Sequence, residues 1–127
     1  MSEAGPLFTR IDAVVLRVRD LAAARAWYTG TLGLTATYED PALKLAVLDM
    51  AGGTSLTLWE LGPGEGAPSG GGFPILGVDD AEEAHRRLTG VGVETGPVQE
   101  AAGARFFSFR DPDGNRLDVA QGAAWSP

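Results

Sequence analysis

The spacing of apolar positions changes several times along the chain, and each change marks an element. Residues 11 to 18, IDAVVLRV, are rich in β-branched and aliphatic residues and predict a strand. Asp20 follows as a helix N-cap for LAAARAWYTGTLG, in which Leu21, Ala24, Tyr28 and Leu32 recur at helical spacing and Gly33 offers a stop. Three further runs, LTATYE, LKLAVLDM and SLTLWEL, return to the strand pattern. Gly62 to Gly72, GPGEGAPSGGG, breaks it with a Gly/Pro linker. A phosphate-cradling loop would need a helix directly behind it, whereas FPILGV, which comes next, reads as a strand.

Beyond the linker the pattern begins again. VRDLAAARAWYTG, from Val18, aligns with VDDAEEAHRRLTG, from Val78, with Val, Asp, Thr and Gly coinciding at 18/78, 20/80, 29/89 and 30/90. LAVLDMAGGTSLTL echoes FFSFRDPDGNRLDV, where Gly53 matches Gly114. Self-similarity at this period implies two copies of one supersecondary unit. Each copy reads β-α-β-β-β, so the fold class expected is α+β. One domain over 1–127 is expected, with module one at about 9–61, the linker at 62–72 and module two at about 73–121.

Alternation then sorts the strand residues onto two faces. Val14, Leu16, Val18, Leu56, Leu58, Leu76, Val78, Phe107, Phe109, Leu117 and Val119 share one parity and are all apolar, as a face under the helices requires. The other parity holds Ala13, Val15, Arg17, Thr57, Trp59, Phe73, Ile75, Phe106, Ser108, Arg110, Asp118 and Ala120. Aromatics mixed with hydroxyls and charges suit a concave ligand-binding surface. The competing explanation is a partly solvated face packed on a partner subunit.

Composition narrows the function. The chain has 127 residues, a net charge of −7 and no cysteine. Acidity argues against nucleic acid and leaves a cationic small molecule, or mere solubility, as its meaning. The lack of cysteine excludes disulfides and thiolate sites. No apolar run approaches the roughly 18 residues of a membrane span, and MSEAGPLFTR has no basic or apolar signal regions. A cytoplasmic protein is expected.

With these residues in view, the chain resembles the vicinal oxygen chelate superfamily of glyoxalase I, bleomycin-resistance proteins, fosfomycin-resistance enzymes and extradiol dioxygenases. The resemblance rests on VVLRVRDL, AWYTGTLGL, GVDDAEEAHRRLTGVGV and, most specifically, FRDPDGNRLDV, and it spans about residues 11 to 121. It implies paired βαβββ modules curving round a cup, and a homodimer. In the metal-using members, ligands come from the first and last strands of each module. Those places fall here on Ala13, Thr57, Phe73 and Asp118. Ala and Phe have no donor atom, Thr is a poor transition-metal ligand, and a catalytic site usually needs about three protein ligands. No metal and no cofactor are therefore expected.

The chain's single histidine, His85, falls on the second helix, on the far side of the sheet from Asp118, where a salt-bridging or surface role is expected. Asp111-Pro-Asp113-Gly-Asn115 does not match a calcium loop, because Gly114 is fourth rather than sixth and Gly122 stands at position twelve. It reads as a turn.

What the resemblance then implies is a metal-independent binding protein of the bleomycin-resistance type, without catalytic residues. Its ligand-binding set is Ala13, Val15, Thr57, Trp59, Phe73, Phe106, Ser108, Arg110 and Asp118. Trp59, Phe73 and Phe106 would stack on a planar ligand. Asp118 would meet a cationic group on it, and Thr57 and Ser108 would supply hydrogen bonds. Arg110 and Asp49, equivalent in the two modules, are expected as a rim ion pair. Trp27 and Tyr28 are assigned to the helix–sheet core, and Trp125 to a tail. The alternatives are an acid/base enzyme, an atypical metal site on Asp118, or a structural dimer with an occluded cup.

Overall fold

A computed structural model describes residues 5–7, 11–50, 53–66, 72–101 and 103–122. Module one runs β1 (Ala13–Val18), α1 (Leu21–Gly30), β2 (Thr35–Asp40), β3 (Leu45–Asp49) and β4 (Ser55–Glu60). Module two runs β5 (Ile75–Gly77), α2 (Ala81–Gly90), β6 (Gln99–Ala101), β7 (Ala104–Arg110) and β8 (Arg116–Gln121). Each builds a four-stranded mixed sheet, β1-β4-β3-β2 and β5-β8-β7-β6. In both sheets the first strand lies parallel to the last, β1 on β4 and β5 on β8, and the other neighbours are antiparallel. The α+β class and the doubled module follow the sequence pattern. Trp125 and residues 67–71 of the linker lie outside the described residues.

The residues that repeat at a fixed offset do the same work twice. Asp20 caps α1 by accepting from the Ala23 N–H at 3.0 Å, and Asp80 caps α2 from the Glu83 N–H at 3.1 Å. Thr29 and Thr89 each return a hydroxyl to the carbonyl four residues earlier. The first N–H of each helix is satisfied by the last strand of its own sheet, Leu21 by Glu60 and Ala81 by Gln121.

The strand expected from FPILGV shortens to three residues. Pro74 has no N–H to give, so its only ladder bond is the one its carbonyl accepts from the Asp118 N–H at 3.0 Å.

The apolar parity set lies where the alternation placed it. Leu16, Val18, Leu56 and Leu58 of the first sheet join Phe107, Phe109, Leu117 and Val119 of the second in one buried core, closed by Ala24 and Tyr28 of α1. Tyr28 is fully buried, as assigned, and Trp27 meets it edge-on at 5.0 Å. Because the helix-covered faces of both sheets share this core, the opposite faces look outward.

The segment Asp111 to Asn115 does more than turn the chain. Buried Asp111 accepts the Tyr28 hydroxyl at 2.7 Å, the Asn115 side-chain amide at 2.9 Å, and the backbone N–H groups of Asp113 at 2.9 Å and Asn115 at 2.8 Å. Asp113 accepts the Arg19 backbone N–H at 2.9 Å, and Asn115 donates to the Arg17 carbonyl at 3.0 Å. Gly114 holds φ +87°, which closes the turn without strain only for glycine. The turn reading was right for the backbone and incomplete for the side chains, which latch module two onto the β1–α1 corner of module one.

His85 is fixed within the α2–sheet seam. Its Nε2 lies 3.0 Å from the Gly96 carbonyl, and its ring meets Phe107 edge-on at 5.0 Å. The ring is half-buried and packed, which corrects the surface or salt-bridging role expected from the sequence, because the α2–sheet seam offers it Phe107 and a backbone carbonyl.

Candidate functional site

The outward faces carry the residues of the second parity set. Val15, Trp59, Phe73 and Ile75 are 48%, 40%, 38% and 40% exposed. Val15 and Trp59 stand on strands of the first sheet, Ile75 opens β5 of the second, and Phe73 lies in the segment just before it. Open apolar side chains on these faces make them the candidate binding surface. Ala13 and Thr57 share one face of the first sheet, since Ala13 pairs with Ser55 and Val15 with Thr57 in the β1–β4 register. Ser108 stands directly opposite Asp118 in β7–β8, with Phe106 opposite Ala120. The nine predicted residues thus divide into two clusters, Ala13, Val15, Thr57 and Trp59 on one sheet and Phe73, Phe106, Ser108, Arg110 and Asp118 with the other.

On each face an arginine lies over the aromatic ring. The Arg17 guanidinium sits 4.6 Å from the Trp59 ring centroid, and that of Arg116 sits 3.9 Å from the Phe73 centroid. Both arginines are also ion-paired. Arg17 binds Glu65 at 2.8 Å, and Glu65 in turn accepts the Gly62 N–H. That backbone donor first, and Arg17 second, hold the Glu65 carboxyl below the ordinary glutamate range. Trp59 is further anchored by its indole N–H, which donates to the Leu43 carbonyl at 2.9 Å.

Arg116 grips Asp118 with two parallel bonds, Nε to Oδ1 at 2.9 Å and Nη2 to Oδ2 at 3.1 Å. The hydrogen bond to Asp118 is the main reason the guanidinium is raised above its usual range. Asp118 is 7% exposed. A cation approaching Asp118 must therefore displace a bidentate arginine. Sequence reasoning placed Asp118 on the right face but missed Arg116, although its position two residues earlier in one strand puts it on the same side.

The expected rim pair between Arg110 and Asp49 is not formed among the described residues. Arg110 Nη1 instead donates to the Gly114 carbonyl at 2.9 Å. The two residues are equivalent in the repeat, but they sit on different sheets, Asp49 on β3 and Arg110 on β7.

The four places that hold metal in related enzymes are not a fitting donor set here. Ala13 and Phe73 offer no donor atom, Thr57 a weak one, and the Asp118 carboxylate is occupied by Arg116. Among the described residues, no three His, Cys, Asp or Glu side chains come together as a metal-binding group.

Comparison with known proteins agrees with this architecture. By fold, the chain is similar to TnmS3, an antibiotic binding protein from Streptomyces sp. CB03234, with a TM-score of 0.78 and 23% identity over 94% of this chain and 100% of that one. It is similar to a glyoxalase/bleomycin resistance protein/dioxygenase superfamily member from Sphaerobacter thermophilus DSM 20745, with a TM-score of 0.77 and 25% identity over 91% and 99%. A lactoylglutathione lyase from Agrobacterium tumefaciens gives a TM-score of 0.76 and 22% identity over 96% and 100%. No curated protein sequence matches the chain. The family model that describes the Glyoxalase/Bleomycin resistance protein/Dioxygenase superfamily matches residues 10–119, and the chain belongs to that superfamily.

Proposed function

We propose that this protein binds a planar aromatic small molecule without a metal ion and without transforming it, as a homodimer. The observation that carries the reading is the pair of guanidinium-backed aromatic rings, Arg17 on Trp59 and Arg116 on Phe73, standing on faces that the single chain leaves open. Rings held by a stacked cation and, for Trp59, a hydrogen bond are preorganised, which lowers the ordering cost of stacking a ligand on them. A second copy covers the open faces and completes a cup, with Ala13, Val15, Thr57 and Trp59 of one protomer contributing walls and Phe73, Phe106 and Ser108 supplying the others.

The similarity to an antibiotic binding protein supports an antibiotic-like ligand. A cytoplasmic setting suits a chain without cysteine, and among the described residues no helix is long and apolar enough to cross a membrane. The enzymatic alternative needs Asp118 as a general acid, a general base or a ligand. Its carboxylate is engaged on both oxygens by Arg116, which favours binding over catalysis.

Titration with a panel of planar heteroaromatic compounds, followed by tryptophan fluorescence, tests the reading. Saturable quenching that is lost in Trp59→Ala is the expected result. Stoichiometric zinc, nickel, manganese or iron in the purified protein would overturn metal independence, and a monomer by sedimentation at micromolar concentration would overturn the dimer.

A further inference from the structure

Arg110 and Arg116 stand directly opposite each other in the β7–β8 ladder, on the outward face. Like charges in that relation ordinarily weaken a sheet. The chain as a whole carries a net charge of −7, so a paired cationic position within it calls for a reason. The two guanidiniums line a cleft of about 290 Å³, together with Ser108 and the segment Glu94 to Gly96.

Both arginines are held in place by bonds that leave donors unused. Arg116 spends Nε and Nη2 on Asp118, and its plane is fixed over Phe73. Arg110 spends Nη1 on the Gly114 carbonyl. Arg116 Nη1 and Arg110 Nε and Nη2 make no hydrogen bond among the described residues. The far wall is equally fixed, because the Gly96 N–H donates to the Ser108 carbonyl at 2.8 Å, the Arg110 N–H donates to the Glu94 carbonyl at 3.3 Å, and His85 holds Gly96 from behind. Two carboxylates compete for these guanidiniums: Asp118, which already holds Arg116, and Glu94, which lines the cleft and makes no ion pair with either arginine among the described residues.

We propose that this cleft is an oxyanion subsite of the ligand cup: the ligand carries a carboxylate, sulfonate or phosphate that Arg110 and Arg116 clasp, with the Ser108 hydroxyl as a third donor. The proposal rests on the ligand-binding reading and makes the ligand planar and acidic rather than cationic. Forked guanidiniums match planar or tetrahedral oxyanions through paired hydrogen bonds, as an ammonium does not. Asp118 then acts as a positioning residue, which aims Arg116, rather than as a contact to the ligand.

The test compares anthraquinone-2-carboxylate with its neutral carboxamide, and follows the arginine Nε–H resonances by NMR with inorganic phosphate as a bare anion. The carboxylate should bind at least tenfold tighter than the amide, the preference should collapse to within about twofold in Arg110→Gln and be partly kept in Arg110→Lys, and Glu94→Gln should strengthen it. Phosphate should shift the Arg110 and Arg116 resonances in the wild-type protein. Equal binding of carboxylate and amide overturns the subsite and leaves the planar-ligand reading standing. Failure of both aromatic probes counts against that reading, and the subsite then stands or falls on phosphate alone. Unshifted Arg110 and Arg116 resonances at saturating phosphate overturn it in every case.

Discussion

The Tyr28 hydroxyl donates to Asp111 Oδ2 at 2.7 Å, and with that bond a helix of one module reaches the β7–β8 turn of the other. Both groups are buried, Tyr28 completely and Asp111 to 5% exposure. A hydrogen bond to a buried carboxylate contributes about 1.5–3 kcal/mol. Tyr28→Phe keeps the ring in the core and removes only the donor. Urea unfolding should show a loss of about 2 kcal/mol with an unchanged slope.

The same pair predicts an alkaline limit to stability. Burial first, and the Asp111 charge second, push the Tyr28 phenol far above its ordinary range. A group whose folded pKa is raised contributes fully below its unfolded value, and the contribution is lost as pH rises beyond it. The unfolded phenol titrates near pH 10, so stability should decline from there upward by about 1.4 kcal/mol per pH unit. Chemical denaturation between pH 8 and about 11 should show the decline in the wild type and a shallower one in Tyr28→Phe.

Glu65 predicts the opposite limb. Its carboxyl is lowered chiefly by the Gly62 N–H and then by Arg17. A depressed pKa gives a contribution present above the unfolded value and lost as pH falls through the folded one. The loop from Gly62 to Glu65 should therefore stay closed on Arg17 at pH values where an unpaired glutamate is already half protonated. A carboxyl-carbon NMR titration should place Glu65 below the usual glutamate midpoint, and Arg17→Gln should bring it partway back.

Gly122 is a fourth test. It holds φ +120°, and a Cβ there would lie 2.8 Å from the Gly103 carbonyl oxygen and 3.1 Å from the Ala104 Cα. Both obstacles are backbone, so relief requires moving the β7 end of the sheet. Gly122→Ala should cost about 1–3 kcal/mol, measured by thermal unfolding. Gly30→Ala, which meets nothing within 4 Å and has no positive φ, is the control, with no loss expected.

The repeat, the two helices and the division of strand residues into a core face and an open face were legible in the sequence because each rests on local periodicity. Asp20 and Asp80 announced their helices by position alone. What the sequence did not carry were relationships between elements remote in sequence. Tyr28 and Asp111 are separated by 83 residues, and nothing in either neighbourhood indicates the other. Arg116 was a different kind of omission. Its place beside Asp118 follows from strand alternation, but a charged residue at a strand start is ordinarily solvated, and its bidentate bond depends on side-chain conformation that alternation does not specify.

One consequence of the latch concerns inheritance rather than binding. The two modules have matching topology, so a recombined chain joining one half to a half from a relative would seem an easy graft. The Asp111 carboxylate makes an unmatched exchange costly. Without a tyrosine at the position of Tyr28 it would remain buried with one bond fewer, and without Asp111 the phenol would face the core with no acceptor. The halves of this chain are interchangeable in outline only, because a graft that keeps the latch must supply both the tyrosine and the aspartate.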